Sequence, residues 1–508
     1  MQMLKPTFWK DFWHDTEGAV LPLATIMLVV FVGGGLLAVD ASRYMDLQTH
    51  LQKAADAAAL AAAAELDRKP TAIARADLAV QTLVSNRQVF GEGVSNVQVR
   101  TRYLESLPSN DNLPILAASV TTDPRLARFV EVTVEPTTLN TVFPATFMGS
   151  ATNTAVTSAV AVAGFDSVAC KFTPVYICNP YEGLGDFLTI ANTPSFRRRL
   201  LQITSEPGGA AYPGNFGYLS PSIGQGNPPL EEMLAAVSPG ACFRQNGVET
   251  RTGNPAVEDA LNVRFDLFRQ GGGPNSFRNN PAYPPAANVR KGYKIGTGGT
   301  QDACKQETAY NTEAMPSTNP ATGADPSGRR GLTRDNCFYP TTGTGAVNPS
   351  YPCALAGADS SVQGRIGDGN WDLAGYMKTN HPDVAASSWP PSDSSRYDVY
   401  RWEIANNRVG SASLGGESGT KFCSSVPAVQ NPDRRIVHGA VINCRQYESL
   451  LNGGSGRNIP VLAFAKFFLT EPAQGESSGR KIIWAELVDT IEPGEDDGVL
   501  RDQVQLYR

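Results

Sequence analysis

The chain has 508 residues, of which 41% are hydrophobic, 18% charged and 8% aromatic. This composition excludes a fully disordered chain and a protein that crosses the membrane many times. The formal net charge is -6, from 43 Lys and Arg against 49 Asp and Glu, so we expect no nucleic-acid partner. Residues 166–508 hold 68 of the 84 Gly and Pro residues, which predicts that this region is rich in loops.

A membrane-spanning helix is predicted near the start of the chain. Residues Ala19–Val39 carry no charge and are bounded by Glu17 and Asp40. A helix of this length crosses a hydrocarbon core of about 30 Å. The competing interpretation is a signal peptide cut near Val39-Asp40-Ala41, but the apolar core of a signal peptide usually has about 7–15 residues. We therefore expect an uncut anchor in the lipid bilayer, preceded by a cytoplasmic tail at residues 1–18.

Small residues within this span offer a surface to another membrane helix. The ordinary tolerance of membrane helices for glycine is the simpler explanation of the same residues. The candidates for transmembrane packing are Gly33, Gly34, Gly35 and Ala38.

Cysteine usage predicts the orientation of the chain across the membrane. Positive charges do not decide it, because Lys5 and Lys10 precede the span while Arg43 and Lys53 follow it. All eight cysteines lie after the span, which suits an oxidising compartment. A zinc site has little support, because no C-x2-C pair occurs. We expect the N-terminus in the cytoplasm and the bulk of the chain in the periplasm or outside the cell.

Eight cysteines predict four disulfides and permit 105 pairings. Among these, proximity in the sequence favours Cys170–Cys178, Cys337–Cys353 and Cys423–Cys444, which leaves Cys242–Cys304. Such bridges would hold the Gly- and Pro-rich stretch 205–360 in place. The eight candidate cysteines are Cys170, Cys178, Cys242, Cys304, Cys337, Cys353, Cys423 and Cys444.

The stretch that follows the span is predicted to continue it as a helix. Residues 41–66 contain neither Gly nor Pro, and nine of the eleven positions 54–64 are Ala, the best helix former. One helix would then run from about Ala19 to Leu66. Apolar residues at helical spacing mark one of its faces. They are Tyr44, Leu47, Leu51 and Ala55 or Ala58.

A second face of the same helix is a candidate interface. Ala57, Ala61 and Ala64 follow one another at steps of four and three residues, and small side chains there allow a partner helix to approach closely. The alternative is an ordinary core helix whose small residues meet a sheet. The two interpretations are compatible.

A resemblance to a known family rests on this layout. The sequence reads D-x-x-R from Asp40 and L-Q-x-A-A-D-A-A-A-L-A-A-A from Leu51. In this arrangement after an apolar span, the chain resembles the TadE/TadG-like proteins of Flp pilus assembly, the tight-adherence system. Later runs, among them those beginning at Phe129, Arg396 and Arg434, are similar to the larger TadG-like members. The resemblance implies a non-enzymatic component of the bacterial inner membrane that contacts pilin-like or pilus-assembly proteins.

One departure from processed pilins bears on the anchor. Prepilin processing resembles a cut after Gly, with Glu five residues further on. Here Glu17 precedes Gly18, and Leu23 stands where the Glu is expected. The chain therefore resembles an uncut, anchored relative.

The pattern after the long helix predicts an α+β fold. A helix followed by antiparallel strands would form a pilin-like domain at 40–165, and 166–508 would form a disulfide-tied, mostly β region. The helical pattern is at 71–90. The strand-like runs are Val94–Tyr103, Phe129–Val134, Ala151–Ala163, Ile436–Asn443, Val461–Thr470 and Lys481–Val488.

Catalytic motifs are weak throughout. Gly475–Gly479 matches G-x-S-x-G, but a strand pattern follows it where a nucleophile elbow needs a helix. His381 and His438 are the histidines that could act as a base, and their patterns place them in a loop and a strand. Asp368–Asp372 begins like a calcium loop but lacks its Gly and Glu, so a tight turn is the better interpretation. We expect no enzyme, metal or cofactor.

A surface- or glycan-binding module on a membrane anchor is the alternative function. It requires an exposed row of aromatic side chains in the C-terminal region. Trp371, Trp389 and Trp402 are the residues that could form such a row.

Overall fold

The structure is a computed structural model in which most of the chain is described. Residues 1–18, the predicted cytoplasmic tail, lie outside its described part, as do Cys304, Cys337, Cys353 and Cys423. The described residues are 20–84, 98–108, 112–144, 146, 149–182, 185–205, 212–220, 230–237, 239–251, 257–268, 277–287, 331–336, 338, 365–409, 424–451, 456–475, 479–491 and 500–507.

The described chain contains both helices and strands, which follow one another in short runs. The helices are α1 (Val20–Ala63), α2 (Ala72–Val84), α3 (Phe187–Ala191), α4 (Pro194–Arg197), α5 (Leu230–Ala235), α6 (Val257–Asn262), α7 (Leu373–Asn380), α8 (Arg396–Ala405) and α9 (Glu448–Leu451). The strands are β1 (Val99–Leu104), β2 (Phe129–Asn140), β3 (Thr154–Cys170), β4 (Val175–Cys178), β5 (Leu200–Ser205), β6 (Phe216–Ser220), β7 (Cys242–Arg244), β8 (Glu249–Arg251), β9 (Ile436–Ile442), β10 (Ala463–Leu469), β11 (Gln474–Gly475), β12 (Lys481–Thr490) and β13 (Leu500–Leu506). The mixed helix and sheet content agrees with the predicted α+β class.

The chain divides into two compact units. The first unit comprises residues 1–166 and 503–508, and the second comprises 167–502. Strand β3 continues beyond residue 165, the predicted domain boundary, and it ends at Cys170.

The first unit is built on α1, which has 44 residues and is about 66 Å long at the standard rise. This confirms the single continuous helix expected from the absence of Gly and Pro after the glycines of the span. The C-terminal half of α1 packs against α2 and β2. Leu51, Ala55 and Ala58 of the predicted apolar face are at most 2% exposed and share a core with Val130 and Val132 of β2.

The sheet of the first unit follows the order β1-β2-β3-β13. β1, β2 and β3 are antiparallel neighbours. β13 comes from far along the chain, and its Val504 packs against the core of α1 and the sheet. Tyr507, just after β13, donates its backbone N–H to the carbonyl oxygen of Val162, and its ring lies edge-on to that of Phe129.

An eight-stranded sheet organises the second unit. Seven strands follow the order β11-β12-β10-β9-β4-β6-β8, and β5 also pairs with β12. The antiparallel pairing of β9, β10 and β12 confirms the sheet predicted near the C-terminus. β11 pairs with β12 across residues 476–478, so strands flank the G-x-S-x-G run on both sides. Large aromatic side chains, including Phe172, Phe243 and Phe464, fill the main core of this unit.

Candidate functional site

Asp40 joins α1 to the turn between β2 and β3. Its Oδ1 accepts the backbone N–H of Val142 at 2.9 Å, and its Oδ2 accepts that of Phe143 at 2.7 Å. The two backbone N–H groups, with Arg43 nearby, hold the pKa of Asp40 below its usual range. Asp40 is 8% exposed although it lies at the end of an otherwise exposed apolar segment. The carboxylate therefore serves as the acceptor that fixes this turn to the helix.

Other polar residues of α1 continue this attachment along the β2–β3 hairpin. Arg43 Nη1 lies 3.5 Å from Asp40 Oδ1 and donates to the carbonyl oxygen of Asn140 at 3.2 Å. Gln52 Nε2 donates to Asp56 Oδ1 at 2.8 Å and to the carbonyl oxygen of Val160 at 3.1 Å. The polar positions that carried the family resemblance thus fasten the helix to the hairpin. The motif is visible in the sequence, but its hydrogen-bond partners on the hairpin could not be predicted from the sequence.

The N-terminal half of α1 is exposed and apolar. Val29 is 69% exposed and Phe31 is 74% exposed, and neighbouring large apolar residues are similar. α1 is the one helix among the described residues that is long and apolar enough to cross a membrane. Burying so much apolar surface in lipid removes the cost of leaving it in water. The finding is consistent with a single-pass membrane anchor.

The residues proposed for transmembrane packing have different surroundings. A side chain at Gly33 would meet the ring of Phe143 at 3.7 Å. At Gly34 and Gly35 a Cβ would have open space with respect to the described residues. Ala38 is exposed. Gly34, Gly35 and Ala38 therefore remain open to lipid or to a partner helix, and their role stays a prediction.

The Ala-rich part of α1 has two faces with different environments. Ala55, Ala58, Ala59 and Ala62 are fully buried against the unit's own sheet and α2. The candidate partner stripe lies outside this buried face. Ala57 and Ala61 are half-buried, and Ala64, in the turn after the helix, is exposed. The interior of the first unit thus uses one set of alanines and leaves a second set accessible.

The two disulfides among the described residues differ from the predicted pairing. Cys170 is bonded to Cys242, and Cys178 is bonded to Cys444. The predicted pairs Cys170–Cys178, Cys423–Cys444 and Cys242–Cys304 are therefore wrong, while Cys337–Cys353 lies outside the described residues. Strand pairing explains the error. Antiparallel β3 and β7 place Cys170 opposite Cys242, and parallel β4 and β9 place Cys178 opposite Ile442, two residues before Cys444.

A fully buried charge cluster lies in the second unit. Arg396 donates through Nη2 to Asp335 Oδ1 at 2.6 Å and through Nη1 to Glu486 Oε1 at 2.5 Å. All three side chains are inaccessible to solvent. Burial raises the pKa of Glu486 to about 7 against the opposing effect of Arg396, and burial also raises the pKa of Asp335. One guanidinium between two carboxylates gives the cluster a structural role in joining β12 to α8.

Backbone groups complete this cluster. Asp335 Oδ2 accepts the N–H groups of Leu200 and Gly369, and Glu486 accepts those of Arg396 and Tyr397. Sequence reasoning missed these residues. The available signal was the occurrence of charged residues within otherwise apolar runs, such as the one beginning at Arg396, since a charge at a core position needs a buried partner.

A second buried polar group involves one of the candidate histidines. His381 Nε2 lies 2.8 Å from Glu403 Oε1, which also accepts the hydroxyl of Tyr376 at 2.6 Å. Side chains of His381 and Glu403 are fully buried, so substrate cannot reach them in this conformation. His438 lies in β9 and stacks on Phe172. Both histidines thus serve internal packing.

The remaining sequence candidates also have structural roles. Asp368 and Gly369 form a tight turn in which Asp368 accepts the N–H of Asn370, and Asp372 caps α7. Among the described residues, no group of three or more His, Cys, Asp or Glu could hold a metal ion. The three tryptophans of the alternative function are half-buried and pack around one core cluster instead of forming an exposed row. They are Trp371, Trp389 and Trp402.

Comparison with known proteins identifies the N-terminal region. Residues 18–65 match the family model described as Flp pilus-assembly TadE/G-like. The match covers the apolar span, the Asp40 attachment and the Ala-rich stretch of α1. Searches of the curated proteins and of the solved structures found no match.

Proposed function

We propose that this protein is a non-enzymatic, membrane-anchored component of Flp pilus assembly. The observation that carries the proposal is the coincidence of the TadE/G-like match at residues 18–65 with a helix whose first half is exposed and apolar. Such a helix provides the anchor, and its second half carries the rest of the first unit. A long helix packed on antiparallel strands is the reason to regard this unit as pilin-like.

The proposed topology places the N-terminus in the cytoplasm and the part of the chain after the span in the periplasm or at the cell surface. The disulfides Cys170–Cys242 and Cys178–Cys444 support this orientation, because such bonds persist in oxidising compartments. A reporter that is active only in the periplasm, fused after Arg508, is expected to be active. Activity of a cytoplasmic reporter at that position would contradict the orientation.

The proposed partner surface is the accessible stripe Ala57, Ala61 and Ala64. The small side chains of Ala57 and Ala61 on the outside of α1, with Ala64 in the turn after it, let a second helix approach closely, as in other helix pairs with small residues at the contact. The proposed partners are pilin-like or inner-membrane assembly proteins. The fully buried alanines of α1 cannot serve this purpose, because the unit's own sheet and α2 already contact them.

A matched pair of substitutions tests this surface. Ala61→Glu places a long charged side chain on the accessible stripe, and we expect lower pilus yield and less co-purification of assembly proteins at unchanged membrane abundance. Ala58→Glu places the same side chain in the core, and we expect loss of the protein itself, because an unpaired buried carboxylate is costly.

The comparison is read from membrane abundance and pilus yield in the same cells. Normal piliation by the Ala61→Glu variant at normal abundance would contradict the proposed partner surface. Equal loss of protein in both variants would mean that both faces of this stretch serve the folding of the protein.

A further inference from the structure

The turn between β2 and β3 lies beside the apolar span. Asp40 binds the backbone of Val142 and Phe143, and the Phe143 ring reaches to 3.7 Å from the Cβ position at Gly33. Gly33 lies about two helical turns, or about 10 Å, before Asp40 along α1. The turn therefore extends from the Asp40 level toward the centre of the proposed membrane span.

The side chains of this turn suit a lipid environment. Val142 is 53% exposed although it is apolar, Phe143 is half-buried against α1, and Pro144 follows them. Aromatic and aliphatic side chains at this depth are typical of segments that enter the interfacial layer of a bilayer.

The backbone of the turn is also prepared for a medium without water. Thr141 donates its N–H to the carbonyl oxygen of Asn153, and the N–H groups of Val142 and Phe143 both bind Asp40. Pro144 has no N–H group, and the Thr141 hydroxyl donates to the carbonyl oxygen of Phe143 at 2.9 Å. Four successive residues thus leave no backbone N–H without a partner, which lowers the cost of moving this backbone into lipid.

We infer that Thr141–Pro144 is a second membrane contact, inserted into the leaflet on the side where α1 leaves the bilayer. Its occupant is the phospholipid itself, because the turn is continuous with the exposed apolar surface of α1. This contact would fix the tilt and depth of the first unit on the membrane, since a helix alone permits rotation about its own axis. The inference rests on the proposed membrane anchor, so its test must separate the two.

Three matched cysteine substitutions provide that test in the full-length protein, reconstituted as single copies in nanodiscs of phosphatidylethanolamine and phosphatidylglycerol. Val29→Cys creates the span site, Val142→Cys the turn site, and Val160→Cys the hairpin site further out. Val160 is 42% exposed, and its carbonyl oxygen accepts a hydrogen bond from Gln52. Gln52 lies about 18 Å beyond Asp40 along α1. Each site is labelled with a charged maleimide and with an uncharged, lipid-soluble one, and peptide mapping gives the rate at that site.

For each site we compare the ratio of charged to uncharged labelling. We expect this ratio at the turn site to resemble the ratio at the span site and to be at least about tenfold lower than the ratio at the hairpin site. The reason is that a charged reagent enters lipid poorly. Equal ratios at the turn site and the hairpin site, with the span site protected, would overturn the lipid contact and leave the anchor intact. Free labelling of the span site by the charged reagent would overturn the anchor and the inference together. Protection of the turn site from both reagents, while the uncharged reagent labels the span site, would also overturn the inference, because it means that protein covers the turn.

Discussion

The two units of the molecule are each stabilised by a different kind of contact. In the first unit, alanines of α1 pack against valines of the sheet, and the charged residues that attach α1 to its hairpin lie at the edge of the contact. The second unit encloses large aromatic rings, fully buried arginines and two disulfides. The sequence supplies no cysteine to the first unit.

The difference follows from the different roles of the two halves of α1. The first half is the apolar span, and the second half contacts its own unit through one face. Alanine on that face lets the sheet approach closely with little loss of side-chain entropy. The second unit has many short elements and long connections, so it gains more from charge clusters and covalent links that specify which strands meet. The comparison teaches that close packing and specific cross-links are alternative ways to define a core.

The largest expected effect comes from breaking the buried charge cluster. Arg396→Met leaves Asp335 and Glu486 without their shared guanidinium, and we expect the second unit to lose about 3–5 kcal/mol of unfolding free energy. Arg401→Met, an exposed change in the same helix, is the control and should cost less than about 0.5 kcal/mol. Urea unfolding followed by tryptophan fluorescence measures both, and equal stability of the two variants would contradict the role given to the cluster.

Removal of a disulfide is the next effect. Cys178→Ser with Cys444→Ser opens a link between residues 266 apart in sequence. We expect the second unit to lose about 2–4 kcal/mol. Hydrogen exchange measured by mass spectrometry should increase in peptides of the second unit and stay unchanged in β1 and β2. Faster exchange in both units, to the same extent, would show that the comparison between them is wrong.

A dependence on pH is expected in the second unit. Because burial raises the pKa of Glu486 to about 7 in the folded state, the folded protein binds this proton more tightly than the unfolded chain, in which the Glu pKa has its usual value of 4.5. The contribution of Glu486 to the free energy of unfolding is therefore fully present below about pH 4.5. It falls by on the order of 1–3 kcal/mol as the pH rises through about 7. Urea unfolding of the parent and of Glu486→Gln at several pH values measures it. The same slope in both would contradict the assignment to Glu486.

The smallest effect tests the close packing of the first unit. Ala58→Leu adds volume where α1 meets its own core, and we expect a loss of about 1–2 kcal/mol from overpacking. Ala64→Leu makes the same change at an exposed position and should be nearly neutral. Hydrogen exchange in β2 is the measurement. An effect of Ala64→Leu as large as that of Ala58→Leu would mean that the packing of the two alanines does not differ.

Local patterns predicted the local parts of this fold. The long helix followed from the run without Gly or Pro, and β9, β10 and β12 followed from alternation of apolar residues. The predicted apolar face of α1 was confirmed at Leu51, Ala55 and Ala58 because helical periodicity fixes which residues share a side.

Features that depend on contacts between distant parts of the chain could not be predicted from local patterns. The partners of Cys170 and Cys178 are decided by strand pairing between segments far apart in sequence, and proximity along the chain carries no information about that. The Arg396 cluster joins three segments that are far apart in sequence, because Asp335 and Glu486 lie 61 and 90 residues from Arg396. The Asp40 attachment depends on a turn about a hundred residues later. In each case the residue type suggested a partner but not its identity.

The position of β13 has a consequence for how the protein is made. Ser167 Oγ donates to Asp502 Oδ1 across 335 residues of sequence, and β13 then adds the outer strand beside β3. Gly164 leaves room for this junction, since a Cβ there would lie 2.5 Å from the Phe129 ring and 2.9 Å from that of Tyr507. The first sheet is therefore completed late, because the edge of β3 that receives β13 stays unpaired until residues 500–506 are available. A product truncated before residue 500 leaves that edge open to proteases and chaperones.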